Sequence, residues 1–179
     1  MVTYLPRTAW GARPPRGSRA LSPSRIIGTA IHWPGMHDPI YTQSAIAAAL
    51  RGWQNYHMDV RGWSDIAYQV AVDQAGRAWT LRGLSNQSAA NGNEDLNEQY
   101  GAILLVLAPG EQLTTSMTTT VRGVITDFRH LFPKGTLIVP HSQIRPDGTD
   151  CPGDQARAAI NRGDFTPRPT EETDMKLTD

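Results

Sequence analysis

The chain reads as an α/β domain: a single mixed β-sheet flanked by helices. Three observations predict this. Short apolar runs at 26–33, 102–108 and 137–140 alternate with two segments of helical periodicity. Two further runs, 66–73 and 77–81, are separated only by Gln74-Ala-Gly76, which predicts a hairpin and hence an antiparallel pair within the sheet. The 179 residues, 39% of them hydrophobic, are enough for one packed core.

In chain order, residues 1–25 carry five arginines (Arg7, Arg13, Arg16, Arg19, Arg25) and no acid. With Pro14-Pro15 and scattered Gly and Ser they predict an irregular surface arm, pinned by Trp10. A solvated segment is favoured over a polyanion-binding one. Residues 26–33 predict a buried strand ended by Pro34-Gly35, which leaves His32 at the strand's end. Thr42 is a candidate cap for a helix whose stripe is Ile46, Ala49, Leu50, Trp53 and Tyr56. His57 lies beside that stripe and reads as structural. After the hairpin, residues 83–99, rich in Gly, Asn, Ser and Gln, read as a long functional loop. Residues 102–108 form a central strand. Met117, Val121, Val124, Phe128 and Leu131 then mark a second amphipathic helix, ended before Pro133. A strand at 137–140 and a short helix from Pro152 to about Arg162 complete a domain of residues 1–165. The composition of 166–179 suits a linker-like tail.

Charge and composition narrow the function. The formal net charge is zero, so neither nucleic acid nor a membrane surface is an expected partner, and a monomer is expected. One cysteine excludes an internal disulfide framework. The first residues lack the apolar core of a signal peptide, and the longest strongly apolar run is too short to span a bilayer.

The chemistry concentrates in His141-Ser-Gln-Ile-Arg-Pro-Asp-Gly-Thr-Asp-Cys151-Pro-Gly153. Proline is favoured at the first helical position, which predicts Cys151 at a helix N-terminus, where the dipole lowers a thiol pKa. With His32, two imidazoles and a thiolate make a three-ligand set. Catalytic zinc keeps three protein ligands and one open position, and soft thiolate with imidazole selects zinc over magnesium or calcium. On residue chemistry alone two other readings stay open. Cys151 is a candidate nucleophile with His141 as base, although that leaves His32 without a role and offers only the Gly153 N–H as a nearby oxyanion donor. Alternatively, Cys151 is buried and inert beside two structural histidines.

The motifs resemble a known family. Trp10-Gly-Ala12, Ala30-Ile-His32-Trp-Pro-Gly35 and Gln54-Asn-Tyr-His57-Met58 are similar to those of zinc-dependent N-acetylmuramoyl-L-alanine amidases of type 2 and peptidoglycan recognition proteins. So are Arg61-Gly-Trp63-Ser-Asp65-Ile-Ala-Tyr68, Leu81-Arg-Gly83, Val139-Pro-His141 and Thr149-Asp-Cys151-Pro-Gly153. The resemblance runs from about residue 10 to 160 and implies the fold of that family. It implies His32, His141 and Cys151 as ligands of one Zn2+, and Tyr68 and Thr149 as catalytic residues. Trp33, Arg82 and Asn91 are candidate substrate contacts. The implied reaction is cleavage of the amide joining N-acetylmuramic acid to L-alanine in peptidoglycan. The implied setting is a phage endolysin made in the host cytoplasm and released by a holin. A bacterial remodelling amidase and a non-catalytic peptidoglycan-binding module are the alternatives. Three departures stand out: Thr149 occupies a position that is lysine in many phage enzymes, residues 102–108 carry no glutamate, and the usual Ala-His appears as Ala90-Asn91.

Overall fold

The computed structural model describes residues 1–145 and 148–168. Its elements are β1 (Tyr4–Leu5), β2 (Gly28–His32), α1 (Gln43–Asn55), β3 (Val70–Val72), β4 (Ala78–Thr80) and α2 (Glu94–Gln99). They continue with β5 (Tyr100–Leu105), α3 (Thr115–Leu131), β6 (Leu137–Pro140), α4 (His141–Ile144) and α5 (Asp154–Asn161). Among the described residues the strands form one sheet in the order β1-β4-β3-β5-β2-β6. Only the β3–β4 hairpin is antiparallel, so the sheet is mixed, as the sequence predicts. Of the expected tail, residues 169–179 lie outside the described residues.

Alternation along the strands sends successive side chains to opposite faces. Ile31, Val70, Val72, Ile103 and Leu105 pack with Met117, Val121, Val124 and Ile125 of α3 and with Ala156 and Ala159 of α5. On the other face, Ala71 and Leu104 pack with Ile46 and Leu50 of α1 and with Trp10. The helices start where threonines cap them: Thr42 Oγ1 accepts from Ala45 N and Thr114 Oγ1 from Met117 N. Two stripe positions differ from expectation. Tyr56 and Leu131 are exposed, while Gln54 and Phe132 are buried. Gln54 is held by Arg13 backbone and by Asp65, which satisfies its amide inside the core.

The N-terminal arm is more ordered than expected. Tyr4 and Leu5 pair in parallel with Ala78 and Trp79, and a 3-10 turn at Arg7–Trp10 buries Trp10 completely. Each of the arm's five arginines meets an acid of the body. Arg7 pairs with buried Asp65, Arg13 and Arg16 with Asp59, Arg19 with Glu94 and Glu98, and Arg25 with Asp95 and Glu98. Exposed pairs contribute little singly, yet together they neutralise the arm and fix its course. The long loop expected at 83–99 also contains an unpredicted helix. Asn93 caps α2 through Leu96 N, and Glu94 and Asp95 complement the helix dipole in its first turn.

β2 pairs in parallel with both β5 and β6. Gly28 lies against Leu137, and a Cβ there would meet Leu137 Cβ and its carbonyl oxygen at 2.6 Å. Gly28→Ala is therefore expected to cost about 1–3 kcal/mol, the usual scale of overpacking, read as a lowered urea midpoint. An unchanged midpoint would show that the two strands can part without loss.

Candidate metal centre

Register brings distant residues together. Ile31 of β2 is level with Pro140 of β6, so the next residue on each chain, His32 and His141, leaves neighbouring strand ends on the same edge of the sheet. Their ring centroids are 4.4 Å apart. Ser142 N donates to the Cys151 carbonyl at 2.9 Å, which ties Cys151 to the start of α4 and brings the sulfur to the pair. Cys151 Sγ lies 3.7 Å from His32 Nδ1. One ligand atom from each of His32, His141 and Cys151 falls within 4.8 Å of the others.

Burial sets the protonation of His32 and Cys151. His32 is pushed down to about 3 by desolvation, with the neighbouring His141 acting in the same direction. The Cys151 thiol is pushed up to about 12 by burial, opposed by the hydrogen bond that Trp33 N donates to Sγ at 3.4 Å. Cys151 does not begin a helix, as the sequence had predicted. Gly153, at φ 85°, is the N-cap of α5, and the helix starts at Asp154. The expected depression of the thiol is accordingly reversed. A neutral imidazole and a thiol without a cation suit neither an ion pair nor a thiolate nucleophile. The one N–H considered for an oxyanion hole, that of Gly153, is spent on the Asp150 carbonyl at 2.6 Å. Two imidazoles and one thiol in this geometry could hold a soft divalent cation, whose charge would reverse the thiol's preference.

No family model matches the chain. Peptidoglycan-recognition protein SC2 of Drosophila simulans is 27% identical over 154 residues, covering 85% of this chain and 81% of that protein. N-acetylmuramoyl-L-alanine amidase of Homo sapiens is 28% identical over 158 residues, 83% of this chain but only 26% of that protein. Among solved structures, wild-type Drosophila PGRP-LB superposes with a TM-score of 0.79 at 23% identity, over 94% of this chain and 98% of that one. The fold is that of the peptidoglycan-recognition proteins. Drosophila PGRP-SD shares it too, with a TM-score of 0.77 at 17% identity, over 90% of this chain and 95% of that one.

Within this fold the remaining candidates take distinct places. Tyr68 stands edge-on to His32 with centroids 5.4 Å apart. Its phenol is pushed above its ordinary value by burial and by Cys151, so it stays protonated at neutral pH. Thr149 Oγ1 accepts from Cys151 N at 3.2 Å. Trp33 lays its ring on Gly153, where a Cβ would meet ring carbon Cζ3 at 2.8 Å. Arg82 donates to the carbonyls of Ile66, Gln87 and Asp65 and thereby braces two loops. Asn91 is fully buried, with its Oδ1 2.9 Å from His32 Nε2.

Trp63, quoted above only as part of a motif, stacks on His57 at 5.0 Å, and Asn97, which no motif marks, accepts from Asn91 N through its Oδ1. The one legible signal for Asn97 was the cap and acidic turn that start α2. A cavity of about 250 Å³ beside them is lined by Trp63, Arg82, Ser88, Ala89 and Asn97 among others.

His57 follows α1 on a π-helical turn, Tyr56–Val60, a geometry frequent at functional sites. Its Nδ1 accepts from Ala67 N at 3.2 Å, and its ring stands 6.1 Å from that of Tyr68. Desolvation, then the charges of Arg82 and Arg61, lower its pKa from 6.5 to about 4. Between those values the unfolded chain binds a proton that the folded chain refuses, so stability falls as pH drops from 6.5 towards 4. The urea midpoint should decline across that window less steeply in His57→Gln than in the wild type. Equal slopes would show that His57 titrates alike in both states.

Proposed function

We propose that the chain is a zinc-dependent hydrolase that cleaves the amide between N-acetylmuramic acid and L-alanine in peptidoglycan. The observation that carries this reading is the convergence of His32, His141 and Cys151 within 4.8 Å, beside a protonated tyrosine. Homologues named N-acetylmuramoyl-L-alanine amidase, from Homo sapiens and Sus scrofa, support the reaction type. When bound, zinc supplies a Lewis acid that polarises a carbonyl and lowers the pKa of a coordinated water to about 7.

The chain's own residues would do the rest. His32 presents a neutral imidazole, His141 would add a second ring nitrogen, and Cys151 would lose its proton on binding, with the Trp33 N–H favouring the sulfur's anionic form. Tyr68 keeps its proton until an oxygen gains charge beside it, and a donor placed there strengthens as that charge develops. Thr149, accepting from the Cys151 N–H, has its own hydroxyl proton available for the same oxygen. Residues 102–108 offer no carboxylate as a base.

A second reading, binding without cleavage, is favoured by one finding. Drosophila PGRP-LE, which shares this fold (TM-score 0.78, 21% identity, over 94% of this chain and 98% of that one), was solved in complex with tracheal cytotoxin, a monomeric diaminopimelic acid-type peptidoglycan. End-group labelling of digested cell wall separates the readings. Hydrolysis of the proposed bond releases new L-alanine amino termini and no new reducing sugar. New reducing ends alone would mean a glycosidase, and tight wall binding with neither product would mean a recognition module.

Two variants test the residue roles. Metal analysis should find one zinc per wild-type chain and none in Cys151→Ser, with activity lost alongside it. Full turnover in a verified metal-free sample would overturn the zinc assignment. Tyr68→Phe should keep zinc and fold while losing roughly 10²-fold in turnover, the scale of one transition-state donor; an unchanged rate would reduce the phenol to packing.

A further inference from the structure

Asn91 is fully buried, and every polar atom of its side chain has a partner inside the protein. Its Nδ2 donates to the Tyr100 carbonyl at 2.8 Å and to the Leu96 carbonyl at 3.2 Å, with Ser88 Oγ at 3.3 Å. Both carbonyls can only accept. A flipped amide would set Oδ1 against two carbonyl oxygens, so the orientation is determined by its surroundings. Oδ1 therefore faces His32 Nε2, 2.9 Å away, and can only accept from it. The proton of neutral His32 must then sit on Nε2, which leaves the Nδ1 lone pair turned to Cys151 Sγ.

We propose that Asn91 is a positioning residue: it fixes His32 as the Nε2–H tautomer and aims Nδ1 at the metal before any metal arrives. This rests on the zinc reading above for its purpose, but not for its geometry. Outer partners of this kind set the ring orientation of a ligating histidine. An amide does so without adding the negative charge of a carboxylate, so a cation held by one thiolate keeps more of its Lewis acidity.

Asn91 is itself held from α2 and the segment before it. Its N–H donates to Asn97 Oδ1 at 2.9 Å, and Ser88 Oγ donates to the same oxygen at 3.3 Å. The helix that carries Asn97 is gripped through Glu94, Asp95 and Glu98 by Arg19 and Arg25 of the arm. The arm thus supports the metal centre through three relays: ion pairs, the α2 backbone, and the Asn91 amide.

Long-range 1H–15N correlation on the metal-free wild-type protein at neutral pH reads the tautomer with no metal and no activity involved. The expected result is a protonated Nε2 and an unprotonated Nδ1 on His32. A protonated Nδ1 would overturn the assignment, whether or not the chain binds zinc. Chelator competition on Asn91→Ala should then show zinc affinity weakened 10- to 100-fold, with His32 populating both tautomers when metal-free. Unchanged affinity and an unchanged tautomer in a folded Asn91→Ala would equally overturn it. Should that variant fail to fold, the wild-type spectrum alone decides. A wild type with the Nε2–H tautomer but no zinc affinity would sink the proposed function and leave the role of Asn91 standing.

Discussion

Everything at the candidate centre depends on the parallel pairing of β2 with its two neighbours. A parallel ladder puts the C-terminal ends of its strands on one edge of the sheet. Here β2 and β6 both terminate at a residue followed by, or ending in, an imidazole, one register step apart. More than a hundred residues separate His32 from His141 in the chain, and a strand spacing of about 4.8 Å removes that distance. Gly28 makes the pairing tight enough, because any side chain there would strike Leu137. The sulfur is delivered differently, by a segment held to α4 through the hydrogen bond from Ser142 N to the Cys151 carbonyl.

Desolvation then decides what the three donors are. Burial keeps His32 uncharged and the Cys151 thiol protonated, so these two do not form an ion pair. The His32 Nδ1 lone pair is turned to the sulfur, and the thiol proton can leave under a metal's field. The neighbouring groups lean the same way. Trp33 N–H favours an anionic sulfur, and Thr149 fixes the Cys151 backbone. Tyr68, pushed up by the same burial, holds its proton on the rim.

Much of this was legible in the sequence because strong local rules coincided. Pro34 stops the strand after His32, and Pro140 precedes His141, so both histidines could be placed at strand ends without coordinates. Other features were hidden by competing rules. Pro152 suggested a helix start at Cys151, but the left-handed Gly153 delays α5 to Asp154, and the thiol falls under burial rather than under a helix dipole. The Asn- and Gln-rich composition of 83–99 masked α2, whose stability comes from its cap and from arginines far away in the chain. The arm's five arginines looked solvated because their acidic partners lie 43 to 79 residues onward. Asn91, a candidate substrate contact by resemblance, is buried behind His32 by nearby partners that composition does not reveal.

The proposed function requires that the two imidazoles and one thiol brought together here act as a single metal site. The absorption spectrum of the chain loaded with Co2+ in place of zinc tests it most directly. One Co2+ per chain is expected, with tetrahedral d–d bands and a thiolate-to-metal charge-transfer band that disappears in Cys151→Ser. Cobalt bound without that band, or no cobalt bound at all, would contradict it.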